Sequence, residues 1–199
     1  MVGINRRKIM TILGVIVGIL IVVIVTAKIY SLKVDAKYPV AINQKDIQQN
    51  LTNWGNRGDT KTNPKLMNTV HLGKSNTYIA YFKNQSNGYL GIAVMKEGPN
   101  KHLRIVNSHY GSNQVKYYGV NTNKGNYGII IGNNADGLSH YVQAELEDQS
   151  FKFKVQVPKK DDFIVVKKLP KGIGKTKFAD LYFFDNANKE IKSNLFLFH

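Results

Sequence analysis

The hydrophobic residues of this chain follow two patterns: one unbroken apolar run near the N-terminus, and short alternating segments over most of the remainder. The run extends from Ile9 to Ala27 without a charged residue, directly after Arg6, Arg7 and Lys8. Nineteen helical residues at about 1.5 Å of rise each span roughly 28 Å, close to the ~30 Å hydrocarbon thickness of a bilayer. The pattern therefore predicts a single transmembrane helix over residues 9–27.

The charges around this run predict its orientation. A compact basic tail such as residues 1–8 normally stays in the cytoplasm, which places the C-terminal part outside the membrane. Cleavage after Ala27 is the alternative, because Val25-Thr26-Ala27 has the small residues of a signal-peptidase site, and the domain would then be secreted. The run exceeds the usual ~7–15-residue core of a signal peptide, which favours an uncleaved signal anchor in the cell membrane.

Two glycines inside the apolar run are spaced for helix association. Gly14 and Gly18 form a GxxxG motif, in which small residues let two spanning helices approach closely. We treat this pair as a hypothetical dimer face. The alternative is that the two glycines reflect only the general frequency of small residues in spanning helices.

The segments that follow predict a stalk and one short helix. Residues 28–42 have the composition of a juxtamembrane stalk that ends near Pro39. Asn43 then suits the N-cap of a helix, because Ile47, Leu51 and Trp54 recur at a spacing that forms one apolar stripe.

From Thr69 onwards the apolar period changes from helical to alternating, as in strands. Phe151, Phe153 and Val155 alternate with Lys152 and Lys154, so one face of that strand packs on a core and the other is solvated. Turn residues separate such segments at intervals of about 8–12 residues, which is typical of an antiparallel β-sandwich or a strongly curved sheet. The predicted strands are 69–73, 77–83, 89–97, 102–110, 115–120, 127–132, 140–146, 150–157, 163–167 and 178–184. The whole of 43–199 is thus predicted as one mainly β, extracytoplasmic domain.

Several of these segments resemble a loose group of small exported proteins of Gram-positive bacteria, which carry an N-terminal anchor, one helix and a β-rich domain. The resemblance covers most of residues 43–195, through the paired strands 78–83 and 89–94, the segment 127–134 and the terminal strand 182–185 with the turn after it. It implies the same fold and an envelope location, and it assigns no catalytic residue.

Composition excludes several classes of exported protein. The chain has no cysteine, which rules out disulfides, a catalytic thiol and a lipidated cysteine. A domain of ~150 residues buries near 70 per cent of its unfolded surface and is stable without disulfides. The preference for Lys over Arg and the abundance of Asn and Ile indicate a low-GC Gram-positive source.

No motif for catalysis, cofactor binding or metal binding is complete in the sequence. Gly174-Lys175-Thr176 looks like the end of a phosphate-binding loop, but Leu169 stands where that loop needs a glycine. The five histidines lack the spacing that places two imidazoles on one helix face. Glu145 and Glu147 share a strand face and could act as a catalytic carboxylate pair or hold calcium, but without the loop spacing of a calcium site solvated surface charge is the favoured interpretation. We therefore predict no enzyme, no cofactor and no metal site, with a cell-wall-active enzyme using those carboxylates as the alternative.

The charge balance is the strongest functional signal. The chain has 28 basic and 13 acidic residues, and without the three basic residues before the apolar run a net charge of +12 remains. An exported basic domain meets anionic lipid headgroups and phosphate-rich wall polymers rather than nucleic acid; the alternative is that the charge only aids solubility. The nine lysines predicted to form the anion-binding surface are Lys152, Lys154, Lys159, Lys160, Lys167, Lys168, Lys171, Lys175 and Lys177.

These observations predict a membrane-tethered, extracytoplasmic, non-enzymatic β-domain that binds an anionic wall polymer or lipid, or serves as an accessory to another membrane protein. A module that binds a partner or senses a signal through the Gly14 and Gly18 face of its anchor is a further alternative.

Overall fold

Antiparallel strands make up most of the protein. The structure, a computed structural model, describes residues 6–58, 61–112, 115–147, 151–159, 162–174 and 178–191. Two helices precede eleven strands along this part of the chain. The prediction of a mainly β, antiparallel chain with one long apolar N-terminal helix is confirmed.

Helix α1 (Arg6–Lys37) is a continuous rod of 32 residues, about 48 Å long. From Met10 to Lys37 it is long and apolar enough to cross a membrane, a property shared by signal sequences near an N-terminus. From Met10 to Leu32 its large apolar residues are exposed to between 48 % and 75 %, and Val34 is half-buried. The helix continues through most of the segment predicted as a stalk, because residues 28–37 contain neither Gly nor Pro to end it.

Helix α2 (Gln44–Gly55) begins at the N-cap that the sequence predicts. The Asn43 side chain accepts a hydrogen bond from the backbone N–H of Asp46 at 2.9 Å. Ile47 and Leu51 are buried against the first sheet, and the Trp54 indole donates to the Ser108 hydroxyl at 2.8 Å. The apolar stripe of α2 is therefore a packing surface of the domain.

The strands form three antiparallel sheets. The first sheet has the order β1-β2-β3-β4, the second β5-β6-β9 and the third β11-β10-β7-β8. The bounds are β1 (Pro64–His71), β2 (Thr77–Asn84), β3 (Leu90–Glu97), β4 (Leu103–Gly111), β5 (Val115–Thr122), β6 (Gly125–Asn133), β7 (Tyr141–Leu146), β8 (Lys152–Gln156), β9 (Asp162–Lys168), β10 (Ala179–Phe184) and β11 (Glu190–Ile191). Strand β1 begins five residues before its predicted start, because a bulge between Leu66 and Asn68 breaks the alternation there.

Three hydrophobic clusters stack along the domain. The first joins α2 to one face of the first sheet through Leu51, Phe82 and Met95, among other residues. The second contains residues of the first and second sheets, such as Ile79 and Ile129, and the third contains residues of the second and third sheets, such as Ile130 and Val142. Because consecutive residues of β6 belong to different clusters, both faces of the second sheet carry buried side chains.

Helix α1 is joined to the domain at the turn between β3 and β4. Val40 and Leu103 exchange backbone hydrogen bonds at 3.1 and 2.7 Å. The Asn100 side-chain amide donates to the Asp35 carboxylate at 2.9 Å and to the Tyr38 carbonyl at 3.1 Å. The end of α1 is thus tied to this turn by backbone and side-chain bonds.

A close aromatic contact completes this junction. The Tyr38 ring lies so near Gly98 that a Cβ added to the glycine would be 2.4 Å from the ring Cγ. The Arg104 guanidinium lies 5.3 Å from the centroid of the same ring. Glycine is required at position 98 because a methyl group would displace the tyrosine.

Candidate functional site

The described lysines of the predicted anion-binding surface are spread over two sheets. Lys152 and Lys154 lie on β8, and Lys159 follows that strand. Lys167 and Lys168 end β9, and Lys171 lies in the turn beyond. Lys160, Lys175 and Lys177 lie outside the described residues.

The two lysines of β8 interact with their own domain. The Lys152 ammonium lies 3.7 Å from the Glu145 carboxylate. The Lys154 ammonium donates to the Asn188 side chain and sits 3.6 Å from the centroid of the Phe184 ring. These contacts compete with an external anion, so β8 is the weaker part of the predicted surface.

The other described lysines of this surface are free to meet an anion. Lys159, Lys167, Lys168 and Lys171 are exposed. Within the described ranges, ion pairs involve Lys83, Lys101 and Lys152, and none involves these four. Their charge is therefore available to solvent.

Turns of the first and second sheets bring further lysines beside Lys168. The Lys168 side chain lies over the β5–β6 turn, where a Cβ added to Gly125 would be 3.6 Å from its Cε. The backbone N–H of Asn76 in the β1–β2 turn donates to the Asn123 side chain in the β5–β6 turn at 3.2 Å. We call the exposed lysines of these two turns, together with the last residue of β9 and the lysine of the turn after it, the basic tip: Lys74, Lys124, Lys168 and Lys171.

The basic tip lies at the end of the domain that joins α1. The carbonyl of Asn76, in the β1–β2 turn, accepts a hydrogen bond from the backbone N–H of Glu97 at 2.8 Å. Glu97 ends β3 directly before the turn that holds α1. The β1–β2 turn therefore links the basic tip to the helix junction.

Glu145 and Glu147 occupy different surroundings. Glu145 accepts a hydrogen bond from the Gln143 side chain at 2.8 Å and lies close to Lys152. Glu147 follows β7 and lines a cleft that Glu145 does not line. No group of three or more His, Asp or Glu side chains able to hold a metal ion occurs among the described residues.

A cleft of about 880 Å³ opens between the first sheet and the edge strand β5. One wall comes from β3 and β4, the floor from β5, and the far side from Glu147 and the start of β10. The volume falls within the range of about 300–1,000 Å³ common for small-molecule sites. The residues of β5 that line it are consecutive, from Val115 to Asn121, so the open edge of this strand faces the cleft.

Tyr118 lines this cleft and carries an unpaired hydroxyl. Its oxygen is buried and has no hydrogen-bond partner among the described residues. Burial raises the pKa of Tyr118 to about 12, so the hydroxyl stays protonated and able to donate at neutral pH. The ring stacks with that of His109, with centroids 6.0 Å apart.

Two lysines also line the cleft. The Lys96 ammonium donates to the Thr77 hydroxyl at 2.6 Å, and burial lowers the pKa of Lys96. The Lys116 amine lies against Gly111, at the opposite end of β5 from Lys96. No ion pair with a described carboxylate involves either lysine.

The cleft and half of the basic tip were not predicted from the sequence. Lys74 and Lys124 lie in turns that are distant along the chain, and only the pairing of those turns brings them together. The cleft forms between the first sheet and the edge strand β5, and the pattern of apolar and polar residues within one strand does not show how two sheets are placed relative to each other. The one available signal was the single lysine of β5 followed directly by two tyrosines, Lys116-Tyr117-Tyr118.

Gly14 and Gly18 both lie on the exposed surface of α1. Apart from the adjoining helix backbone, a Cβ added to either glycine would meet no atom of the described residues within 4 Å. The face is open to a second helix, and dimerisation through it stays a prediction.

Comparison of the chain with protein-family models, with curated proteins and with solved structures finds no significant match.

Proposed function

We propose that this chain is a single-pass, membrane-tethered binding protein without enzymatic activity. In this proposal α1 is an uncleaved anchor with its N-terminus in the cytoplasm, and the three sheets form a layered sandwich outside the cell. The domain binds polyanions of the envelope, either wall polymer or lipid headgroups. The observation that carries the proposal is the position of the basic tip at the α1 end of the domain.

The tip has the chemistry of a diffuse electrostatic surface. Each basic residue near an anionic membrane contributes about 1 kcal/mol of binding, so its lysines together contribute about 4 kcal/mol. A lysine ammonium acts as a point charge and does not form the two-pronged contact of arginine. Such a surface favours phosphate-rich or carboxylate-rich material without selecting one geometry.

The test uses the full chain in phosphatidylcholine nanodiscs. Binding is measured by co-sedimentation with isolated Gram-positive walls and, separately, with phosphatidylglycerol vesicles, over a salt series. The test variant changes the basic tip, Lys74, Lys124, Lys168 and Lys171, to Gln. The control variant has the same net charge and changes exposed lysines elsewhere, Lys45, Lys61, Lys65 and Lys189, to Gln.

We expect binding that weakens steeply with salt and that the tip variant loses more than the control variant. The two arms distinguish wall polymer from lipid as the source of the anion. Absence of binding in both arms at low salt, or equal loss in the two variants, would refute the proposal.

A further inference from the structure

The cleft beside β5 combines one unpaired hydroxyl with two ammonium groups that no described carboxylate neutralises. The Tyr118 hydroxyl is buried and unpaired. Lys96 and Lys116 have no carboxylate partner within the described ranges. A buried donor that has lost its hydrogen bond to water is costly unless an acceptor replaces the water. These groups favour an occupant that carries acceptors and negative charge.

The donors are spread along the cleft rather than gathered at one point. The Lys96 ammonium lies 3.5 Å from the Asn121 carbonyl, near one end of β5, and Lys116 lies near the other end. Five residues of strand at about 3.3 Å each separate positions 116 and 121 by roughly 17 Å. Tyr118 lies between them. The fitting occupant is therefore elongated, with anionic groups near both ends.

Ring faces and amides supply the remaining contacts. Tyr110 and Phe178 line the cleft and are 46 % and 63 % exposed, and the stacked His109 and Tyr118 rings lie between the sheets. The negative face of an aromatic ring attracts the C–H groups of a sugar ring. Asn121 also lines the cleft; its amide nitrogen donates to the Asn126 side chain at 2.9 Å, and its side-chain oxygen can accept from a hydroxyl.

We propose that this cleft binds a segment of an acidic oligosaccharide, with sugar rings on the aromatic side chains, hydroxyls on Tyr118 and anionic groups on Lys96 and Lys116. Among the described lining residues, Glu147 carries the one carboxylate, and its negative charge repels an anion on the β10 side of the cleft. The oligosaccharide therefore follows β3 and β5. The inference goes beyond the proposed function, because its site is separate from the basic tip.

Isothermal titration calorimetry of the full chain in phosphatidylcholine nanodiscs tests this inference. The buffer contains about 0.15 M salt, because electrostatic attraction between exposed charges is then screened beyond ~8 Å. The probe is tetragalacturonate, which carries rings, hydroxyls and carboxylates. Maltotetraose is the uncharged match, and inorganic phosphate controls for charge alone. The variants are Tyr118→Phe and Lys96→Met, with Tyr89→Phe and Lys65→Met as matched controls outside the cleft.

We expect saturable, one-to-one binding of tetragalacturonate, with both control ligands weaker. Losing the hydroxyl hydrogen bond in Tyr118→Phe weakens binding about fivefold, and losing the charged group in Lys96→Met weakens it about tenfold or more. Circular dichroism verifies that each variant is folded. Lack of saturable binding, or equal weakening by the control substitutions, overturns the inference. The basic-tip variant keeps the saturable one-to-one phase with this probe, because none of its substitutions lies in the cleft, so failure here and failure of the proposed function are distinguishable.

Discussion

Two consecutive isoleucines of β6 provide a direct test of the layered packing. Ile129 is fully buried in the cluster that also contains first-sheet residues. Ile130 is 1 % exposed and lies in the cluster that also contains third-sheet residues. Because their side chains point to opposite faces, Ile129→Ala and Ile130→Ala probe the two interfaces of the second sheet separately.

The expected loss of stability follows from the atoms removed. Each substitution deletes three buried carbons, which cost about 2.4 kcal/mol at ~0.8 kcal/mol per carbon. The residual cavity adds about 1 kcal/mol, at ~24 cal/mol per Å³. A total near ~3.5 kcal/mol lowers the midpoint of thermal unfolding by about 7–14 °C for a domain of this size. Ile42→Ala is the control, because Ile42 is 45 % exposed, and we expect it to cost less than about 0.5 kcal/mol.

The assay is thermal unfolding of the full chain in nanodiscs, followed by circular dichroism in the β region. If Ile129→Ala or Ile130→Ala shifts the midpoint as little as Ile42→Ala, one face of the second sheet is solvated and the reasoning is wrong. Where an alanine variant does not fold, the corresponding valine variant, with an expected cost of about 0.5–1.5 kcal/mol, gives the same comparison.

Further predictions concern the cleft, the helix junction and α2. The pKa of Tyr118 is about 12 in the folded protein and about 10 when unfolded, so the free energy of unfolding falls as pH rises from about 10 to about 12. In urea unfolding, Tyr118→Phe should make this fall shallower by at most ~1.4 kcal/mol per pH unit. The same pH dependence in the variant and the unsubstituted protein would contradict the prediction. Asn100→Ala removes both side-chain bonds to the end of α1, and it should broaden the spin-label distance distribution between α1 and the first sheet; an unchanged width means that these bonds do not fix the junction. A double-mutant cycle of Trp54→Phe and Ser108→Ala in thermal unfolding should give a coupling of about 1 kcal/mol for their hydrogen bond, and a coupling near zero would show that the bond contributes nothing.

Local sequence patterns predicted which helices and strands form more accurately than they predicted where each one begins and ends. Alternation marks β8 through Phe153 and Lys154, and the cap of α2 is visible in Asn43. The start of β1 was missed because its bulge interrupts the alternation on which the prediction depends. The stalk prediction rested on the polar residues after Ala27, although nothing there stops a helix before Lys37.

The candidate sites were less accessible from the sequence, because they are assembled between elements. The nine lysines counted along the chain include Lys152 and Lys154, which the domain itself binds. They omit Lys74 and Lys124, whose turns are joined by the hydrogen bond between Asn76 and Asn123. The exposure of Tyr118 to a cleft depends on the spacing of two sheets. Composition predicts an anionic ligand, and which residues would contact such a ligand could be proposed only from the fold.

Because α1 is one continuous helix up to its junction with the domain, a rotation of the helix about its axis rotates the domain by the same angle. Each residue of an α-helix turns the chain by about 100° and advances it by about 1.5 Å. With the apolar part of α1 held in a bilayer as proposed, one residue inserted between positions 28 and 34 would swing the domain by about a quarter turn while raising it very little. The number of residues in this segment therefore sets the direction in which the cleft faces relative to any neighbouring protein in the membrane.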